Sequence, residues 1–334
     1  MLVGALAGLR LLSQGASPDH AAGGFCPAWA IVSVHAEGVM LNHQERRFSI
    51  GWRASAVLIL SLIAACAPTG SAQPSEQVIL VRNGDARLRV FVEGSGPAIV
   101  LLPGQGRGPR GYDALTKQLV AAGYRVVRPE PRGFGESVGP VEGLTLRDNA
   151  LDVTTAIEKV GAAPAIVVGF AYGNRVARMI ASERPDLVRG VVLVAAGGKY
   201  PPKPEVLATL RKVQDRSLPL AQRAEAARTV LYGPRSQISA EDMHLDEVSA
   251  TTIKAQSLAA TVPLEAWWDG GQTPMLVLQG LHDVIAPPEN GRSLKRDHPE
   301  RVTLVEFEDL GHAMLRERPD LVGDAILGWV GTLK

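Results

Sequence analysis

The chain has 334 residues, of which 46% are hydrophobic and 21% charged, so one large domain with a sizeable buried core is within reach. Its formal net charge is +1 with both signs spread evenly, and no basic stripe with interleaved aromatics appears, which argues against a nucleic-acid partner. The two cysteines, Cys26 and Cys66, form neither a C-x-x-C pair nor a His/Cys cluster, so no metal site is expected.

Arg46, Arg47 and Arg53 precede an apolar run at 54–66, about 13 residues long. That is short of the roughly 20 residues a membrane-spanning helix needs, and it is the length of a signal-peptide core. The run closes on Leu62-Ile63-Ala64-Ala65-Cys66, which resembles a bacterial lipobox. The resemblance implies lipidation of Cys66 and a bacterial cell-envelope location, lipid-anchored on the periplasmic side or at the outer membrane, with membrane contact only through the lipid. An ordinary secretory signal cut near Ser71-Ala72 is the alternative. A signal peptide begins close to its initiator methionine, so Met40 is the expected start, with 1–39 an upstream extension and 40–65 the signal peptide. Residues 66–76, with Pro68, Gly70, Ser71, Pro74 and Ser75, read as a flexible tether.

Residues 77–82 and 86–92 alternate as paired strands around Asn83-Gly84-Asp85, a hairpin signal. A continuous apolar strand at 98–102 runs into Pro103-Gly104-Gln105-Gly106, followed by a helix over 113–122 and a strand from 125. A helix over 146–160 leads to the β-branched strand 166–170, a helix to 186 and a strand over 190–195. Strands alternating with helices predict a mostly parallel, doubly wound α/β sheet. Between about 198 and 273 the alternation stops, and helices are expected at 207–213, 221–231 and 242–259, with Trp267-Trp268 near the end. Strands resume at 275–278 and 302–305, and an amphipathic helix covers 321–332.

The most informative stretch is Gly169-Phe170-Ala171-Tyr172-Gly173, where a strand snaps into a helix with a glycine on either side. Its spacing resembles the nucleophile elbow, Gly-x-Ser-x-Gly, of the α/β-hydrolase superfamily, with alanine in the serine's place. The resemblance extends over 77–334 and is nearest to the capped, esterase- and epoxide-hydrolase-like members. It implies an α/β-hydrolase fold with a helical cap inserted at about 198–273. In the superfamily the triad acid and histidine follow on loops after later strands. Gly280-Leu281-His282-Asp283-Val284-Ile285-Ala286-Pro287 resembles the acid loop and points to Asp283, and Gly311-His312 takes the place of the catalytic histidine. Pro103-Gly104-Gln105 stands where the oxyanion loop belongs, so the backbone N–H groups of Gln105 and Tyr172 are the expected donors. Arg132-Gly133-Phe134-Gly135-Glu136-Ser137 resembles a structural turn of the family. No cofactor is implied.

A methyl group cannot attack a carbonyl, and in a serine hydrolase the loss of the nucleophile costs on the order of 10⁶ in kcat. Three readings of Ala171 remain open: a deliberate replacement, a non-catalytic pseudo-hydrolase lipoprotein that binds a small molecule, or an enzyme. In the last, Asp283 orients His312 as a general base without a serine nucleophile, acting on a small apolar ester or lactone. Phe170, Trp267 and Trp268 are candidate pocket walls, and the apolar cap argues against a bulky charged substrate.

Overall fold

The computed structural model describes residues 75–333 except 246 and 260. The expectations for Met40, the signal peptide, the tether up to 74 and Cys66 lie outside the described residues.

The chain enters through a hairpin of β1 (Gln77–Asn83) and β2 (Ala86–Glu93), closed by Gly84 with φ 56°, a left-handed value suited to glycine. Then β3 (Ala98–Leu102) leads to α1 (Asp113–Ala121), β4 (Arg125–Pro129), α2 (Leu146–Lys159), β5 (Ala165–Phe170), α3 (Tyr172–Glu183) and β6 (Val188–Val194). Three helices follow, α4 (Pro204–Gln214), α5 (Leu220–Val230) and α6 (Ala250–Ala259). The alternation returns with β7 (Met275–Gly280), α7 (Glu289–Asp297) and β8 (Val302–Phe307), and the chain ends in α8 (Met314–Glu317) and α9 (Pro319–Val330).

The strands form one eight-stranded sheet in the order β1-β2-β4-β3-β5-β6-β7-β8, in which β2 runs antiparallel to both its neighbours, β1 and β4, and the remaining pairings are parallel. The central strands are apolar throughout because both faces are covered. One face packs Val100, Val167, Val191 and Val277 under α2 and α3; the other packs Ile99, Val168, Val192 and Leu276 under α1 and α9. α4, α5 and α6 occupy the interval between β6 and β7, the inserted cap, and Val213, Ala227, Val230, Met243 and Leu245 form an apolar cluster there that reaches Ala313.

Two elements depart from expectation. The helix expected over 242–259 begins only at Ala250. Ser239 and Asp242 exchange short-range hydrogen bonds in a turn, and His244 takes φ 48°, which stops a helix there. The working start signal is Ser249, whose hydroxyl accepts the Thr252 N–H at 3.2 Å. α7 was not expected because its sequence is polar and its buried face is made of Asn290, Gly291, Ser293 and Leu294. A Cβ at Gly291 would lie 3.0 Å from Leu304 and 3.1 Å from Val277, so this helix packs by closeness of backbone rather than by apolar bulk.

Candidate active site

The bend between β5 and α3 holds Ala171 at φ 48°, ψ −105°, backbone that a residue with a Cβ adopts only under constraint. The constraint sits on both flanks. A Cβ on Gly169 would lie 2.3 Å from the Gly173 carbonyl oxygen, and one on Gly173 would lie 2.3 Å from that of Leu102. Strand, bend and helix therefore touch backbone to backbone. The Ala171 N–H donates to the Val194 carbonyl at 3.1 Å, and the buried Asn174 amide donates to the Val194 and Ala195 carbonyls at 2.9 Å each. The bend is thus fastened to the end of β6.

The loop after β7 carries Asp283 and the loop after β8 carries His312, and the two meet. His312 Nδ1 lies 2.9 Å from Asp283 Oδ2 and 3.1 Å from Oδ1. Oδ1 also accepts the N–H groups of Ile285 at 2.9 Å and Ala286 at 2.7 Å, which fixes the carboxylate in place. Both residues are buried, Asp283 at 2% and His312 at 8% exposure. An ionised carboxylate only accepts, so the proton sits on Nδ1 and Nε2 is left as a base. The Phe170 ring stands 5.2 Å from the imidazole, centroid to centroid, and limits its tilt.

Sequence reasoning missed a second carboxylate. Glu317 accepts the Gly311 N–H at 2.9 Å on one oxygen and the Gly233 N–H at 2.8 Å on the other. It thereby clips the histidine loop to the segment after α5. Burial outweighs these two donors and holds the Glu317 carboxyl above its ordinary range. No family motif points to it; only its place five residues after His312, in a helix one turn long, could have drawn attention.

On the oxyanion side, Gln105 Nε2 donates to Ser257 Oγ at 2.7 Å and the Ile253 carbonyl at 3.3 Å, and the Gly106 N–H donates to Gln256 Oε1 at 2.7 Å. All three acceptors lie on α6, so a cap helix sets the loop that carries the Gln105 N–H. The Tyr172 N–H is the first of α3 and has no acceptor within its helix. Its phenol is buried without a hydrogen-bond partner among the described residues, and burial holds it well above the usual tyrosine range, so it stays protonated.

Ala171, Tyr172, His312, Gln105 and Phe170 all line one cavity of about 360 Å³, faced from the cap by Leu207, Leu210, Val213, Met243 and Leu245. Trp267 and Trp268 do not line it, which corrects the expectation for these two residues. They return from the cap towards β7 and bury their rings on α3, with the Arg178 guanidinium carbon 4.6 Å and 5.0 Å from their centroids. Burial, aided by Arg175, pushes the Arg178 pKa down to about 9. Ser137 is also outside the cavity: its hydroxyl accepts the Arg89 N–H at 3.0 Å, while Arg132 forks onto Asp152 at 2.7 and 3.0 Å, so that turn is structural. Among the described residues no group of three or more His, Cys, Asp or Glu is placed to hold a metal ion, and no helix is long and apolar enough to cross a membrane.

The strand order, the strained bend and the buried carboxylate–imidazole pair together define an α/β-hydrolase fold. The chain belongs to the Alpha/beta hydrolase family, whose profile matches residues 99–325. It is similar to the pyrrolizixenacetamide deacetylase of Xenorhabdus hominickii, with 27% identity over 228 residues, 65% of this chain and 85% of that one. Among solved structures, an esterase from Exiguobacterium antarcticum superposes with a TM-score of 0.66 at 17% identity, covering 77% of this chain and 100% of that one. A bromoperoxidase from Bacillus anthracis superposes with a TM-score of 0.65 at 20% identity, covering 76% and 100%. At these identities the two structures speak for the fold alone. The chain is an α/β protein of hydrolase type, and a small molecule is the partner its cavity admits.

Proposed function

We propose that the protein hydrolyses a small, largely apolar ester or lactone with His312 as general base and no covalent intermediate. The observation that carries this reading is the buried His312–Asp283 pair, whose imidazole lines the same cavity as the bend at Ala171. His312 Nε2 takes a proton from a water as its oxygen adds to the substrate carbonyl carbon. The carbonyl electron pair moves to oxygen, where the N–H groups of Gln105 and Tyr172 receive it. Collapse re-forms the carbonyl, breaks the bond to the alcohol oxygen and returns the proton from His312 to that oxygen. A positioned base contributes about 10²–10⁴-fold, enough for an activated ester.

Ala171 itself favours a second reading, a pseudo-hydrolase that binds its ligand without turnover. Hydrolysis of p-nitrophenyl esters and lactones by the parent protein, beside His312→Ala and Ala171→Ser, separates the two. Parent activity that disappears in His312→Ala supports the water mechanism. A silent parent with an active Ala171→Ser supports the binder. For location, the reading is a bacterial envelope protein anchored by lipid on Cys66. Cys66→Ala is then expected to move it from the membrane fraction to the soluble fraction, and retention in the membrane fraction would refute the anchor.

A further inference from the structure

Three arginines line the cavity, Arg107, Arg175 and Arg316, and among the described residues no aspartate or glutamate does. Two of the three are engaged. Arg107 donates to the His244 carbonyl at 2.9 Å, and Arg316 pairs with Glu247 at 3.1 Å. Arg175 differs. It sits on α3 one turn beyond Ala171, half-buried, with its guanidinium carbon 5.5 Å from the ring centroid of Trp267. Among the described residues no carboxylate and no carbonyl accepts from it.

Its surroundings deepen the imbalance. Arg178, one turn further on, donates to the Gly197 and Asn174 carbonyls and likewise forms no ion pair among the described residues. Burial lowers the Arg175 pKa below the ordinary guanidinium range, with only the Tyr172 phenol acting the other way. A guanidinium stays charged in a protein, and donors partly withdrawn from bulk water without an anion are costly. The same fork matches a carboxylate in a two-point contact. Apolar side chains, among them Leu207, Leu210, Val213, Met243 and Leu245, supply the larger part of the remaining lining, with Gln105, Gln214 and His312 interspersed, so the complementary ligand is mostly hydrocarbon and negative at one end.

We propose that the cavity takes a small apolar molecule bearing one carboxylate, and that Arg175 receives that carboxylate. This rests on reading the cavity as the ligand site and not on turnover at His312. It narrows the substrate class to an ester or lactone carrying a free acid group.

The test is calorimetric titration of the full chain with a series of ω-phenylalkanoates and their neutral amides, at low and at high salt. The parent should bind the best acid about 10–100-fold more tightly than its amide, the range a charge-assisted pair supplies, and salt should narrow the gap. Arg175→Gln should abolish the preference, Arg175→Lys should keep part of it, and Arg316→Gln should leave most of it. His312→Ala should retain it in full, so a protein that prefers the acid but cleaves no ester would sink the hydrolytic reading and leave this one standing. Equal binding of acid and amide, an unchanged preference in a folded Arg175→Gln, or no binding of any acid at about 10 mM would overturn the proposal.

Discussion

Ala171→Ser asks whether only one atom is missing. The backbone at this position already has φ 48° and ψ −105°, held by the Gly169 and Gly173 contacts and by the Val194 hydrogen bond, so a serine inherits the posture without new backbone strain. Stability should shift by no more than about 0.5 kcal/mol, as for a substitution that adds one small polar atom at a cavity wall. On the proposed reading the other members of the unit are an imidazole oriented by a carboxylate at 2.9 Å and the backbone N–H groups of Gln105 and Tyr172, residues that line the same cavity. Loss of a nucleophile from a complete unit costs on the order of 10⁶ in kcat. Restoring it in a site shaped around a methyl group should return about half of that on a logarithmic scale, a gain of roughly 10³-fold or about 4 kcal/mol. Two assays read it: steady-state hydrolysis of p-nitrophenyl butyrate, and intact-mass detection of a covalent adduct with a sulfonyl fluoride. A folded Ala171→Ser with no rate gain and no adduct would refute the reading that the site lacks only its nucleophile.

Asp283→Asn should lower the rate by about 10²–10⁴-fold by releasing the Nδ1 proton to the wrong nitrogen, with little change in ligand affinity measured by titration. Gln256→Leu should cost about 1–3 kcal/mol in urea unfolding because the Gly106 N–H loses its acceptor, and it should also slow hydrolysis. Glu317 has a native pKa above its unfolded value of about 4.5, so its share of stability is full below that pH and is lost as pH rises through the native value. Thermal unfolding of the parent relative to Glu317→Gln should therefore decline across that window; a difference that grows with pH would contradict the burial argument. Gly173→Ala, which would drive a methyl into the Leu102 carbonyl, should destabilise the fold by about 3 kcal/mol or more, seen as lost soluble yield and a lower Tm.

The central parallel strands β3 and β5 were legible because they are buried on both faces and so read as apolar runs; both fall within one residue of their expected bounds. Asp283 and His312 were legible because each follows such a run at a loop with recognisable glycine spacing. What escaped lacks any local pattern. The tie from α6 to the Gln105 loop joins residues about 150 positions apart, and nothing in a polar Gln256 signals it. Trp267 and Trp268 looked like pocket walls since aromatic pairs serve either role, and only the folded path shows Arg178 stacked against both. α7 hid because its buried face is asparagine, glycine and serine with Leu294 as its single apolar side chain, too little for an amphipathic pattern.

Because α6 holds Gly106 and Gln105 directly, displacing this cap helix would also displace the loop whose N–H group the proposed mechanism uses. Under that mechanism, discrimination between ligands would extend to how each one sits against α6, at a distance from the reacting carbon.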